Sequence, residues 1–263
     1  MGRAALAPEK DDQQLSEWLA DYFNCISSEY LPYNRTNVPV TYQRVLPTIS
    51  AEEVTKKLRR TKITSSVPGD LPAALYTNFA RLIAEPVTHV FNTITESGQW
   101  SSDWATEQVT VIPKSRHSER PSECRNISCT NFLSKIYESF VLMWARGEVM
   151  PKSNQYGGEP GCGTTHLLVQ AMDNIPRALE DNRSAVVLTS VDFSKAFNRL
   201  EHGSCLQAFA KKGLSTQIIK LLAGFMCGRT MTVKVGAKRS VPRPVNAGAP
   251  RGLFLAATSL MSE

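Results

Sequence analysis

The chain has 263 residues, of which 42% are hydrophobic and 21% charged, a composition typical of a globular protein that is long enough to bury a core. No stretch approaches the roughly 18 consecutive apolar residues of a membrane span, and the polar N-terminus lacks the apolar segment of a secretory signal. We therefore expect an intracellular protein with no membrane partner; the sequence does not resolve nucleus from cytoplasm. The six cysteines form no Cys-x-x-Cys pair, which favours free thiols.

The net charge of +6 is unevenly distributed along the chain. Residues 202–263 contain nine lysines and arginines and one acid, whereas residues 1–201 carry a slight excess of acids. This asymmetry predicts a basic C-terminal surface suited to a phosphate backbone. Charge alone fits a solvated basic face without a partner equally well.

Periodicity and capping signals predict a chain of helices interrupted by a few strands. The predicted helices span residues 13–30, 51–60, 73–84, 86–98, 131–149, 202–212 and 215–227. One further helix is predicted to follow the glycine-rich bend 155–165 and to reach about residue 181. Residues 106–112 and 230–235 are predicted strands, and 240–246 a proline-interrupted one. The Ser50–Glu53 segment is a capping box, which fixes the start of the second helix.

One further strand is predicted immediately before Asp192. Residues 185–188 are apolar and rich in β-branched side chains, and Val191 directly precedes Asp192, so a buried strand would deliver the Asp192 carboxylate at its C-terminal end. A rigid strand holds a catalytic metal ligand better than a loop does. An aspartate in this position without further context is more often a turn cap.

Seven motifs occur in order along the chain. They are Val67-Pro-Gly-Asp-Leu-Pro72; Phe91-Asn92 with Gly98-Gln-Trp100 and Trp104; Val111-Ile-Pro-Lys114; Cys124-Arg-Asn-Ile-Ser128 with Ser134-Lys-Ile-Tyr-Glu138; Gln155-Tyr-Gly157; Asp192-Phe-Ser-Lys-Ala-Phe197; and Gly248-Ala-Pro-Arg-Gly252. In this order and spacing, residues 46–255 resemble the reverse transcriptase of non-LTR (LINE-type) retrotransposons.

The resemblance implies an α+β fold comprising the fingers and the first half of the palm of a right-hand polymerase. Residues 1–47 would form an N-terminal helix and connector, 48–182 the fingers-like region, and 183–263 a partial palm with motif A and a degenerate motif B. The implied activity is RNA-directed DNA polymerisation, with an RNA template, a DNA primer and dNTPs as partners. The full-length parent could also carry a flanking endonuclease domain.

The resemblance also implies catalytic residues within motif A. Asp192 and the backbone carbonyl of Phe193 match ligands of the two Mg²⁺ ions that such enzymes use for nucleotidyl transfer. Phe197 matches an aromatic steric gate that crowds a ribose 2′-hydroxyl and so selects deoxynucleotides. The alternative for Phe197 is an ordinary core aromatic on the helix that follows.

Other residues match the nucleotide and template contacts of the family. Lys114 and Arg125 match a basic pair that holds the incoming triphosphate, for which the planar fork of arginine is well suited. The backbone of Lys195 and Ala196 would donate N–H groups to the same triphosphate. The implied template or primer contacts are Gln155, Tyr156, Gly157, Arg251 and Gly252.

The sequence departs from the family pattern at several points. Asn198 stands where the family has an aspartate, and Arg251 where it has a glutamine that supports the template–nucleotide pair. The aromatic-x-Asp-Asp hairpin, which supplies the remaining carboxylates, does not occur before Glu263. We therefore expect two Mg²⁺ ions not to be fully bound and this chain alone not to polymerise.

Two alternatives to a reverse transcriptase remain open at this point. A non-catalytic nucleic-acid-binding remnant of such an element is favoured by the basic segment 202–263. A related polymerase, of the group II intron type or an RNA-dependent RNA polymerase, is also compatible with the motifs. The aromatic ring of Phe197 argues against the RNA-synthesising version.

Overall fold

The structure, a computed structural model, describes residues 6–62, 67, 69–149, 156–157, 161–180, 185–192 and 195–249. Nine α-helices and five strands lie within these ranges. The helices are α1 Asp12–Ser28, α2 Ala51–Arg60, α3 Ala73–Asn78, α4 Ala80–Ser97, α5 Phe132–Glu148, α6 Thr164–Glu180, α7 Ala196–Arg199, α8 His202–Lys211 and α9 Thr216–Met226. The strands are β1 Thr106–Pro113, β2 Cys124–Cys129, β3 Arg229–Val235, β4 Lys238–Arg239 and β5 Arg243–Val245. This mixture confirms the α+β class.

The strands form one five-stranded sheet in the order β2-β1-β3-β4, with β5 also paired to β3. β1 and β2 are antiparallel, and β1 and β3 are parallel, with Val109 opposite Val233. A parallel pair needs a long crossover connection, and here α5 to α9 lie between the two strands in sequence. The sheet therefore joins a hairpin from the middle of the chain to a hairpin near its end.

Helix α1 covers one face of this sheet. A capping box at Asp11 starts the helix, whose Leu15, Leu19, Phe23 and Ile26 are buried in one cluster with the strand residues Val109, Met231 and Val233. Arg243 of β5 reaches back to form ion pairs with Glu17 and Asp21 of the helix. The first helix and the last strands thus stabilise each other.

A second core lies among the helices. Phe91 of α4, Tyr137 and Phe140 of α5 and Phe225 of α9 are fully or almost fully buried in it, and Phe91 contacts both α5 rings. The hydroxyl groups of Tyr137 and Thr95 are hydrogen-bonded at 2.8 Å. Burial of such rings dominates core energetics, so this cluster anchors the helical region.

The helices follow the predictions with two exceptions. The capping box of Ser50 and Glu53 is present, and Gly98 ends α4 in the left-handed conformation with φ 70°. The predicted break before Pro86 was wrong, because Pro86 lies inside α4. Buried Ala84 and Val87 flank it, and their packing outweighs the hydrogen bond that a proline removes. The predicted helix over 73–84 instead divides at Phe79.

The buried strand predicted before Asp192 was also wrong. Residues 185–192 lie outside any helix or strand, and Val187 and Leu188 are 85% and 78% exposed. A strand requires a neighbour that satisfies its backbone groups. Among the described strands, none pairs with this segment. By contrast, β2 is not among the predicted strands, and it forms because β1 offers it a pairing partner.

Two further sequence predictions concern the membrane and the cysteines. Within the described ranges, no helix combines the length and apolar character needed to cross a bilayer. All six cysteines lie within the described ranges and none of them forms a disulfide bond there, in agreement with the prediction. Cys124, Cys205 and Cys227 are buried.

Candidate nucleic-acid interface

The sheet face opposite α1 is formed by exposed and half-buried residues, apart from the buried Gln108. Because side chains alternate along strands, this face is formed by every second residue, and paired residues share it. Its members are Thr106, Gln108, Thr110, Ile112, Arg125, Ile127, Cys129, Thr230, Thr232, Lys234 and Arg239. None of these strand residues is acidic, whereas three of them are basic.

The β1–β2 hairpin brings the predicted pair Lys114 and Arg125 together on this face. Arg125 lies opposite Ile112, and the Lys114 N–H donates to the Glu123 carbonyl at 2.9 Å, which extends the pairing beyond β1. Lys114 and Arg125 are therefore diagonal neighbours, a relationship that places Cα atoms roughly 7–8 Å apart. Both side chains are exposed, and the Lys114 ammonium donates to the Ser122 carbonyl at 3.1 Å.

Two more cations, Lys234 and Arg239, extend the same face. Lys234 lies opposite both Thr110 and Arg239 in the sheet, and the Arg239 Nε donates to Gln108 Oε1 at 3.1 Å. We refer to Lys114, Arg125, Lys234 and Arg239 as the basic sheet face. Motif comparison missed Lys234 and Arg239, although the alternating pattern of 230–235 within a basic segment contained the signal.

The turn that follows Asp192 lies elsewhere, against α1. Lys195 has a left-handed backbone (φ 57°), and its carbonyl accepts hydrogen bonds from the N–H groups of Asn198 and Arg199 at 2.9 and 3.1 Å. Its ammonium lies 5.0 Å from the centre of the Tyr22 ring, a cation–π contact. Since Tyr22 belongs to the helix on the opposite face, the structure does not bring Lys195 together with Lys114 and Arg125.

Asn198 of this turn lines a small cavity of about 30 Å³ between α1 and the sheet. Asn126, Ser128 and the carboxylate-bearing Glu107 also line it. Burial raises the pKa of Glu107, and the guanidinium of Arg229 opposes this shift from 3.4 Å away. The polar residues that line this cavity thus lie around the buried carboxylate of Glu107, which is paired with Arg229.

Asp192 is exposed and stands outside any helix or strand. Across the part of the chain that the structure describes, no group of three or more His, Cys, Asp or Glu side chains could hold a metal ion. A pair of Mg²⁺ ions needs several oxygen ligands held in a fixed arrangement. The described residues therefore do not fit the two-ion site that the resemblance implies.

The remaining predicted site residues divide into two groups. Tyr156 donates its hydroxyl to Gln170 Oε1, and Gly157 is exposed in a turn. The others lie outside the described residues, either entirely or, for Ala196 and Phe197, in their side chains: Gln155, Phe193, Ala196, Phe197, Arg251 and Gly252. Their roles stay predictions.

Comparison with known proteins points to retrotransposons. No family model matches the chain. It is 26% identical over 165 residues to the Retrovirus-related Pol polyprotein from type-1 retrotransposable element R2 of Popillia japonica, covering 60% of this chain and 23% of the relative. Over 172 residues it is 24% identical to the Probable RNA-directed DNA polymerase from transposon BS of Drosophila melanogaster, covering 63% and 19%.

A third similar protein is the RNA-directed DNA polymerase from mobile element jockey of Drosophila melanogaster, 26% identical over 177 residues, with 64% of this chain and 19% of the relative covered. These similarities confirm the resemblance to retrotransposon RNA-directed DNA polymerases that the motifs indicated. The chain spans about a fifth of the length of these relatives.

Proposed function

We propose that this chain is the nucleic-acid-binding portion of a retrotransposon RNA-directed DNA polymerase, and that it binds RNA and DNA through the basic sheet face. The observation that carries the proposal is the convergence of Lys114, Arg125, Lys234 and Arg239 on one exposed face. This portion would correspond to the fingers and the beginning of the palm. The substrates would be an RNA template, a DNA primer and dNTPs.

The charge pattern of the face supports this proposal. Two hairpins distant in sequence each contribute two cations, and the strand residues between them are hydroxyl-bearing, amide-bearing or apolar. A surface of this kind attracts polyanions. Phosphate contacts from lysine and arginine supply most of the sequence-independent affinity for nucleic acids.

The position of Lys114 and Arg125 supports a more specific role for the hairpin. Diagonal neighbours on an exposed sheet face can contact one polyphosphate together, and arginine adds paired, charge-assisted hydrogen bonds. We propose that these two residues hold the triphosphate of an incoming nucleotide. Lys234 and Arg239 would then contact the nucleic-acid backbone.

The proposal covers binding and does not extend to catalysis at Asp192. The resemblance implies that Asp192 binds Mg²⁺, but the described residues contain no group of three or more metal-ligating side chains, so we assign no catalytic step. The basic segment 202–263 supports a second candidate function, nucleic-acid binding without synthesis. Binding through the basic sheet face is common to both candidates.

Primer extension separates the two candidates. The chain is incubated with a primed RNA template, dNTPs and MgCl₂, alongside Asp192→Asn. The binding-only candidate predicts no extension while the primed template is bound. Extension that disappears in Asp192→Asn would overturn that candidate in favour of a polymerase.

Binding itself is tested with a neutralised variant, Lys114→Gln combined with Arg125→Gln, Lys234→Gln and Arg239→Gln. A matched control neutralises four exposed cations of α2 and α4: Lys56, Arg59, Arg60 and Arg81. Fluorescence anisotropy with labelled single-stranded RNA should show much weaker binding for the first variant only. Equal losses in both variants would contradict the assignment of the interface.

A further inference from the structure

A second concave site lies at the other end of the sheet, where β1 and β3 begin. It is a cavity of about 180 Å³ between the segment before β1, the end of α9 and the connector that follows α1. Three aromatic side chains line it: Trp100, Trp104 and Phe225. For comparison, an apolar protein cavity of about 150 Å³ accommodates a benzene ring. The space therefore suits a single six-membered ring with small substituents.

The polar groups of this cavity include two guanidinium groups and no carboxylate. Arg35, Arg229, Ser101 and Ser102 line it, and none of its described lining residues is acidic. The Arg229 side chain is only 3% exposed, yet its Nε has no hydrogen-bond partner among the described residues. A buried donor in this state is costly and is satisfied when an acceptor arrives. The cavity thus favours a ligand rich in acceptors.

Arg35 supplies an exposed positive charge at the edge of the cavity. Its Nη2 donates to the Cys227 carbonyl at 2.6 Å, which fixes the guanidinium beside the end of α9. This approach depends on Gly228, because a Cβ at that position would collide with the guanidinium. A guanidinium held in this way is suited to a phosphate group.

We propose that the cavity binds a pyrimidine nucleotide, with the ring among the aromatic side chains, a ring carbonyl accepting from Arg229 Nε and the phosphate at Arg35. A purine is disfavoured because its second ring exceeds the space. The inference deepens the proposed function and rests on it for the source of the ligand. That source is either a free nucleotide or an unpaired nucleotide of a bound strand.

The experiment blocks the cavity at its edge. Ser102 is exposed in a short helical turn, so Ser102→Phe fills the entrance without altering the core. Thr93→Phe, at an exposed position on α4, is the matched control. Calorimetric titrations use UMP for the free nucleotide, a ten-residue oligouridylate for the strand, and AMP to test ring size.

We expect Ser102→Phe to weaken binding of UMP, of the oligouridylate or of both by about tenfold or more, as when a base loses its stacking site, with Thr93→Phe unchanged. A loss of UMP binding identifies a free nucleotide as the ligand, and a loss of oligouridylate binding identifies an unpaired nucleotide of a strand. AMP should bind more weakly than UMP to the native chain. If neither arm responds to Ser102→Phe, or if AMP binds as tightly as UMP, the inference is overturned.

A second variant, Arg35→Gln, tests the inference even if Ser102→Phe does not fold. Arg35→Gln retains a donor but removes the charge, so it should weaken UMP several-fold and leave uridine, which has no phosphate, unaffected. An equal effect on UMP and uridine would contradict the role of Arg35. Binding of RNA through the basic sheet face can persist in every one of these variants, so failure of this inference is distinguishable from failure of the proposed function.

Discussion

The guanidinium Nη2 of Arg229 lies 3.4 Å from Oε2 of Glu107, and this buried ion pair joins the starts of the parallel strands β3 and β1. The two side chains are 3% and 7% exposed. The pair therefore links the two hairpins that form the basic sheet face. Replacing either residue of the pair would leave the charge of the other buried without a partner.

Arg229→Met is expected to destabilise the fold strongly. Removing one member of a buried ion pair costs roughly 3–5 kcal/mol, because the remaining carboxylate is left without compensation. Denaturant unfolding monitored by circular dichroism measures this loss. The control is Arg177→Met, which removes an exposed pair with Asp173 on α6 and should cost less than about 1 kcal/mol. Similar losses for both variants would contradict the structural role of Arg229.

Gly224→Ala should be destabilising although alanine is a better helix former. A Cβ at Gly224 would lie 2.7 Å from Cδ1 of the Trp100 ring and 3.1 Å from the Gly98 carbonyl. Overpacking of this kind costs roughly 1–3 kcal/mol. Gly147→Ala on α5 meets nothing within 4 Å and should be neutral or stabilise by about 0.5–1 kcal/mol. The thermal unfolding temperature should fall for Gly224→Ala and should not fall for Gly147→Ala, and a stabilised Gly224→Ala would exclude this packing.

His202 should make the stability of the fold depend on pH in the mildly acidic range. Burial lowers the pKa of His202 below 6.5, with the nearby Arg229 adding to the shift, while the hydrogen bond to the Gly248 carbonyl and Glu201 oppose it. Between the folded and unfolded pKa values the unfolded chain binds more protons, so stability is present above pH 6.5 and is lost as the pH falls.

Unfolding free energies at pH 7.5 and 5.5 measure this effect in the native chain and in His202→Gln. The difference between the two pH values should be smaller in the variant, whose side chain does not titrate. His89→Gln, at an exposed position, controls for the substitution itself. An unchanged pH dependence in His202→Gln would show that another group is responsible.

Leu188→Ala tests the exposure of the segment before Asp192. Because Leu188 is 78% exposed, the change in unfolding free energy should stay within about 0.5 kcal/mol. The same substitution at the fully buried Leu206 should cost roughly 2–5 kcal/mol. A comparable cost at Leu188 would instead support the buried strand that the sequence predicts.

Local signals explain which parts of the fold could be predicted from the sequence. The capping box at Ser50, the helical spacing of α5 and the strand character of β1 are each encoded within a few residues. The parallel pairing of β1 with β3 is not, because residues far apart in sequence form it. The basic sheet face could not be predicted for the same reason, because its residues come from distant parts of the sequence. Motifs identified Lys114 and Arg125, but only the strand pairing of β3 with β1 and β4 shows that Lys234 and Arg239 lie on the same face.

In the segment 185–192, a local sequence signal predicts a strand that the structure does not contain. An apolar, β-branched run indicates a strand only if a neighbouring strand is present to accept its hydrogen bonds. None of the described strands offers this, so the side chains of Val187 and Leu188 remain in solvent. Composition alone could not decide between the two outcomes. For the same reason the position of Asp192 could not be inferred from its motif.

The salt dependence of RNA binding tests the central claim most directly. Each phosphate contact on a single strand contributes about 0.7 to the slope of log affinity against log salt. Neutralising the basic sheet face with glutamine should reduce the slope by about 1.4 through Lys234 and Arg239, and by about 3 if Lys114 and Arg125 also contact the strand when no nucleotide is bound. The control variant in α2 and α4 should keep the native slope. Equal slopes for the native chain and the neutralised sheet face would contradict the account.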